Sequence, residues 1–216
     1  IEGLLQMAIP HLTRFSTEVN PEVELVEYSE EYKPELMIFC NKCKELGFTL
    51  NHSLKAMKLR SPDVKFWLIF VNGEIASVSG CQKLYASDAD SVIRDGDYRL
   101  FFRSATLPKY YNHFPFNRYM GHNLYVKYCI IPQRKWAYEQ GAKRTVITGV
   151  TTPQGSPQMD KVARITRLNE VKYCKKRGIP PIWEELGTCK LFNTDQVIFK
   201  CVEENSAWWI KRGNFL

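Results

Sequence analysis

Two runs rich in β-branched and aromatic residues, Lys65–Val71 and Glu74–Cys81, flank the dipeptide Asn72-Gly73. Both turn residues tolerate positive φ, as a type I′ turn requires, so the two runs predict a β-hairpin. Asp97 to Thr106 repeats the β pattern and is stopped by Leu107-Pro108, which makes three antiparallel strands in succession. Val23 to Tyr28 predicts a short strand ahead of them. Between these runs the period changes. From Lys33, the apolar residues Leu36, Ile38, Phe39, Cys43 and Leu46 recur at steps of three and four, and Gly47 follows, predicting a helix with that face inward. Asn51 or Ser53 is expected to cap a second helix through Leu59, broken by Ser61-Pro62-Asp63.

The second half alternates the two periods. His122 to Gln140 has helical spacing at Leu124, Tyr128, Ile131, Trp136 and Tyr138, with Gly141 as its stop; Pro132 either kinks this helix or starts a shorter one. Lys143–Val150 reads as a buried strand, so an αβ unit is expected. A further helix is predicted from about Met159 to Arg177, capped by Gly178, and the chain returns to β at Gly187–Phe192 and Gln196–Val202 around the turn Asn193-Thr194-Asp195. Residues 1–21 contain two prolines and no sustained period, so they read as an extension before one domain spanning 22–216.

Composition adds bounds. Hydrophobic residues at 44% and charged residues at 25% of 216 are those of a globular chain, which excludes collagen, coiled coil and disorder. Thirty Lys and Arg against 23 Asp and Glu leave a net charge of +7, which favours polyanions without selecting nucleic acid over a phosphorylated cofactor. No apolar run approaches 18 residues and no secretory leader is recognisable, so the chain reads as cytoplasmic with no membrane partner. Cys40 and Cys43 form a lone C-x-x-C. No second cysteine pair follows at ligand spacing, so no metal is expected, and Cys40 reads as a small hydrophobe on the inner helix face. Glu74 in the hairpin and Asp97 at a strand start read as solvated charges.

The succession β, α, α, hairpin, long strand, α, β, α, β, β resembles the GNAT superfamily of acyl-CoA N-acyltransferases over roughly Val23–Val202. The local features that carry the likeness are Asn72-Gly73, Leu107-Pro108, Glu139-Gln140-Gly141-Ala142 and Lys175-Lys176-Arg177-Gly178-Ile179. The resemblance implies an α+β fold with a central, mostly antiparallel twisted sheet flanked by helices. It also implies acetyl-CoA or another acyl-CoA as cofactor, and a small-molecule, protein or nucleic-acid amine as acceptor. Phage Mom-type DNA-modifying proteins look similar in this respect, and the cluster Tyr110, Tyr111, Phe114, Phe116, Tyr119 suits stacking on exposed bases. A protein that keeps the fold without a cofactor site is the other alternative, with Trp208-Trp209 as an anchor for a partner or a second copy.

The resemblance also implies site residues. Two splayed strands would hold the pantetheine arm by backbone bonds, here Ser104, Ala105, Thr106 and Leu107 on one side and Thr148 to Thr151 on the other. The family's glycine-rich pyrophosphate turn is reduced to Gly121 in Arg118-Tyr119-Met120-Gly121-His122-Asn123, with Arg118 or Lys109 as side-chain substitutes. Tyr173 on the last helix is the candidate acid for the leaving thiolate, and His113 and His122 are candidate bases. One condition governs this reading: the strand at 97–106 and the strand after Gly141 must part to open a slot.

Overall fold

The computed structural model describes residues 23–48, 53–86, 91–110, 131–150, 172, 175–176, 178, 181, 183–191 and 194–202. Seven strands form one sheet: β1 (Val23–Glu27), β2 (Val64–Val71), β3 (Glu74–Lys83), β4 (Asp97–Thr106), β5 (Arg144–Val150), β6 (Trp183–Leu191) and β7 (Thr194–Cys201), in the order β1-β2-β3-β4-β5-β7-β6. Every neighbouring pair is antiparallel except β4 and β5. Helix α1 (Lys33–Glu45) joins β1 to the hairpin, and α2 (Ile131–Glu139) precedes β5. The fold is therefore α+β with a mostly antiparallel central sheet, as expected.

The hairpin forms because Asn72 and Gly73 adopt φ of 49° and 79°, the left-handed pair that a type I′ turn needs. β2 is buried along nearly its whole length because the sheet is covered on both sides. Phe66 and Leu68 join Leu36, Phe39 and Cys43 of α1, whereas Trp67 between them joins Ala137 and Trp136 of α2. The Trp136 ring stands edge-on to Tyr98 (5.7 Å) and to Trp67 (6.2 Å), a favourable aromatic arrangement.

Three expectations are corrected. Ile38 and Leu46 are exposed, and the buried stripe of α1 is Leu36, Phe39, Cys40 and Cys43; at 100° per residue Ile38 points about 200° away from Leu36. Both cysteines of the C-x-x-C are buried, as their places on the inner face predict. Residues 53–60 form hydrogen-bonded turns in place of the second helix. Ser53 does cap them, accepting the Ala56 N–H at its Oγ (3.1 Å), but Lys58 at φ 52° cannot continue a right-handed helix. β6 begins at Trp183, four residues earlier than expected, and its ladder with β7 closes at Leu191 opposite Thr194, a tighter connection than the expected turn. Of the expected helix from about 159 to 177, only Lys172, Lys175 and Lys176 are described, as helical, and Gly178 follows at φ 65°. Pro132 lies in the first turn of α2, where its missing N–H is harmless. No helix among the described residues is long and apolar enough to cross a membrane.

Candidate functional site

β4 and β5 run side by side for only three residue pairs, Asp97↔Arg144, Tyr98↔Thr145 and Arg99↔Val146. Beyond them β4 continues to Thr106 and β5 to Val150 with no further pairing between the two. The sheet is thus closed at one end of this junction and open at the other.

The closed end is held by a buried ion pair. The Asp97 carboxylate accepts from Arg144 Nε (2.8 Å) and Nη2 (2.7 Å) and from the Arg94 backbone N–H (2.8 Å), while Arg144 Nη2 also reaches the Val92 carbonyl (2.8 Å). The Asp97 side chain is 2% exposed, so the expectation of a solvated charge is overturned. A carboxylate with a bidentate guanidinium and a backbone N–H can be buried without an orphaned lone pair. The bond to Asp97 raises the Arg144 pKa further above its ordinary value.

The divergence begins where β4 is bulged twice. Two residues of β3, from Val78 to Gly80, span three of β4, and the next step from Gly80 to Cys81 spans two. Phe101 (φ 58°) and Arg103 (φ 50°) take up the extra length in left-handed conformations, which side chains of that size adopt only where surrounding structure fixes them. The bulge is supported from α2: Gln133, fully buried, accepts the Phe101 N–H at Oε1 (2.8 Å) and donates from Nε2 to Ser79 Oγ (2.6 Å), which bonds Ser104 Oγ (2.6 Å). Gly80 belongs to the same device. A Cβ there would lie 2.6 Å from the Phe66 ring and 2.9 Å from the Phe102 carbonyl.

The expected cofactor residues divide as follows. Ser104 is exposed and Thr106 half-buried on the diverging part of β4, whereas Ala105 and Leu107 are core residues. Ser77 Oγ donates to the Ala105 carbonyl (3.0 Å) and accepts from Thr106 Oγ1 (2.8 Å). Thr148 stands on the diverging part of β5, its Oγ1 shielded from solvent and without a hydrogen-bond partner among the described residues. Such a hydroxyl calls for a partner. Lys109 is exposed and bound to Glu74, which also holds Lys42 and the Tyr110 hydroxyl. Glu74, expected to be solvated, is instead the hub of this cluster. Its burial favours the neutral acid, but the hydrogen bonds from Lys109, Lys42 and Tyr110 outweigh that and lower its pKa to about 2. The candidates Tyr173, His113, His122, Arg118, Gly121 and Thr151, and the tail Trp208-Trp209, lie outside the described residues.

The thiols of α1 are buried and free. Burial raises the Cys40 pKa to about 11, and burial together with Cys40 raises that of Cys43 to about 12, so neither is a thiolate at neutral pH. Among the described residues no group of three or more His, Cys, Asp or Glu could hold a metal ion.

The chain is similar to solved acetyltransferases of the GNAT family. An acetyltransferase of that family from Staphylococcus aureus aligns over 83% of this chain and 99% of its own, with a TM-score of 0.46 and 16% identity. The ribosomal-protein-S18-alanine N-acetyltransferase from Escherichia coli aligns over 83% and 93%, at 0.46 and 10%. An aminoglycoside 6′-N-acetyltransferase solved with coenzyme A aligns over 82% and 95%, at 0.46 and 11%. No family model matches the sequence, and no curated protein matches it.

Gln133, Ser79 and Asp97 were not singled out from the sequence as functional. The signal for Ser79 is the pair Ser77 and Ser79, two small polar residues on one face of an otherwise apolar strand. Gln133 carries no such signal, since a glutamine in a first helical turn is ordinary on any solvated surface.

Proposed function

We propose that this protein transfers an acyl group from an acyl-CoA, with acetyl-CoA as the donor, to an amine, and that the acyl-pantetheine arm lies between β4 and β5. The observation that carries the reading is the junction that pairs over three residues and then diverges. A pantetheine arm is an extended chain of amides. It satisfies a strand edge as another strand would, and two edges that separate after a short common stretch offer it a slot. The residues that line this slot are Ser104 and Thr106 on β4 and Thr148 on β5, and the Thr148 hydroxyl, without a partner among the described residues, suits a polar ligand.

The bound thioester supplies the acyl group; the chain must orient it, accept charge at its carbonyl and manage two protons. We assign Tyr173 as the acid that protonates the departing thiolate, His122 or His113 as the base that keeps the amine neutral, and Arg118 with Gly121 as the pyrophosphate contact. Lys109 is a weaker phosphate candidate, because a phosphate there competes with Glu74 for the same ammonium group.

Calorimetric titration with acetyl-CoA, accompanied by thermal shift, tests the reading. At a ligand concentration 100 times Kd the native state gains about 2.7 kcal/mol, a rise in Tm that is easily read. Absence of any stabilisation at millimolar acetyl-CoA overturns the proposal in favour of a protein that keeps the fold without the cofactor. Tyr173→Phe is expected to slow turnover with unchanged cofactor affinity, and Arg118→Ala to weaken affinity.

A further inference from the structure

The relay from α2 to β4 fixes the direction of every proton in it. The Phe101 N–H can only donate, so the Gln133 atom 2.8 Å away is the carbonyl oxygen, and the amide NH₂ faces Ser79. Ser79 Oγ therefore accepts from Gln133. Ser79 is 1% exposed, and among the described residues its one proton has a single remaining partner, Ser104 Oγ at 2.6 Å. Ser104 Oγ thus accepts from Ser79, which leaves the proton of Ser104 itself pointing away from the protein interior. Ser104 is exposed, on the stretch of β4 that has already separated from β5. The neighbouring hydroxyl of Thr106 is directed inward to Ser77, so of the two side-chain hydroxyls at this edge only Ser104 presents a donor.

From this geometry we infer that Ser104 is a hydrogen-bond donor to a carbonyl oxygen of the ligand in the slot, held in that sense by Ser79 and Gln133. The inference rests on the acyl-transfer reading for the identity of the ligand, whose arm carries amide and thioester carbonyls and no other strong acceptor at that depth. A serine free to rotate loses part of such a bond in ordering its hydroxyl; here the relay has already chosen the direction. The left-handed bulge at Phe101 acquires a purpose, since it turns a strand N–H out of the ladder to anchor the glutamine.

Ser104→Ala and Ser104→Thr separate this role from a structural one. Calorimetric titration of each with acetyl-CoA and with free CoA is compared with the unsubstituted protein. Ser104→Ala is expected to weaken binding about fivefold to tenfold, the effect of one neutral hydrogen bond, and to lower the Tm of the ligand-free protein as well, because the buried Ser79 hydroxyl loses its acceptor. Ser104→Thr is expected to bind within about twofold of the parent, since it keeps the hydroxyl. A loss for acetyl-CoA alone identifies the thioester carbonyl as the acceptor, and an equal loss for CoA identifies a pantetheine amide. Equal affinity of parent and Ser104→Ala for both ligands overturns the inference while leaving the acyl-CoA reading intact; failure of the parent to bind either ligand overturns that reading and the inference with it.

Discussion

Replacing Asp97 by Asn removes one negative charge from the closed end of the β4–β5 junction with almost no change in volume. The carboxylate accepts three hydrogen bonds, two from Arg144 and one from the Arg94 N–H. An asparagine keeps one acceptor and turns an NH₂ group toward a donor on the other side. Removing one partner of a buried pair costs about 3–5 kcal/mol. The Arg144 side chain is 19% exposed, so water recovers part of its solvation and we expect about 3 kcal/mol, the lower end of that range. For a chain of this size that corresponds to a fall in Tm of about 6–12 °C. Urea unfolding of Asp97→Asn, Arg144→Met and the double variant measures it, provided m stays constant. Because the double variant leaves no uncompensated charge, its loss is expected to fall short of the sum of the single losses by about 2 kcal/mol. Losses that add without coupling, or an Asp97→Asn variant within 0.5 kcal/mol of the parent by the same cycle, would refute the view that this pair clasps the two strands.

Gly80→Ala is expected to destabilise by about 1–3 kcal/mol, because the new methyl meets the Phe66 ring and the Phe102 carbonyl; circular dichroism melts will register it. Glu74 has a folded pKa of about 2 against an ordinary 4.5, so its contribution is complete above pH 4.5 and disappears as pH falls toward 2. Its side chain is 30% exposed, which holds the expected contribution to roughly 1 kcal/mol, and Glu74→Gln should flatten that part of the stability–pH curve. Cys40 and Cys43 should resist iodoacetamide at pH 8 in the native protein and react on unfolding, as peptide mapping by mass spectrometry can follow.

The parts of this fold that were readable in the sequence are those where local chemistry agrees with the final packing. Asn72-Gly73 demands one kind of turn, and the apolar runs on either side have nowhere to go but a sheet buried on both faces. The limits of β4, from Asp97 to Thr106, coincide with what its pattern and Leu107-Pro108 predict. The failures have a common cause. Ile38 fits an apolar stripe in one dimension but not on a helix of 100° per residue, and Asp97 reads as a surface charge because its partner lies 47 residues away on β5. The bulges of β4 leave no trace at all: Phe101 and Arg103 are residues that ordinarily avoid positive φ, and their conformation is set by contacts with other parts of the chain, the neighbouring strand and Gln133 among them. The parting of β4 and β5 was anticipated from the family resemblance, whereas the direction of the hydrogen bonds from Gln133 through Ser79 to Ser104 is recorded in no sequence pattern.

Below the point of divergence, rings from both halves of the sheet interlock. Phe101 of β4 meets Trp183 of β6 edge to face at 6.3 Å, and Tyr98 is wedged beneath Trp136. Like the abutment of an arch, this aromatic footing braces the sheet on either side of the place where β4 and β5 part, so the separation of the two strands is carried by packed rings as well as by the ion pair.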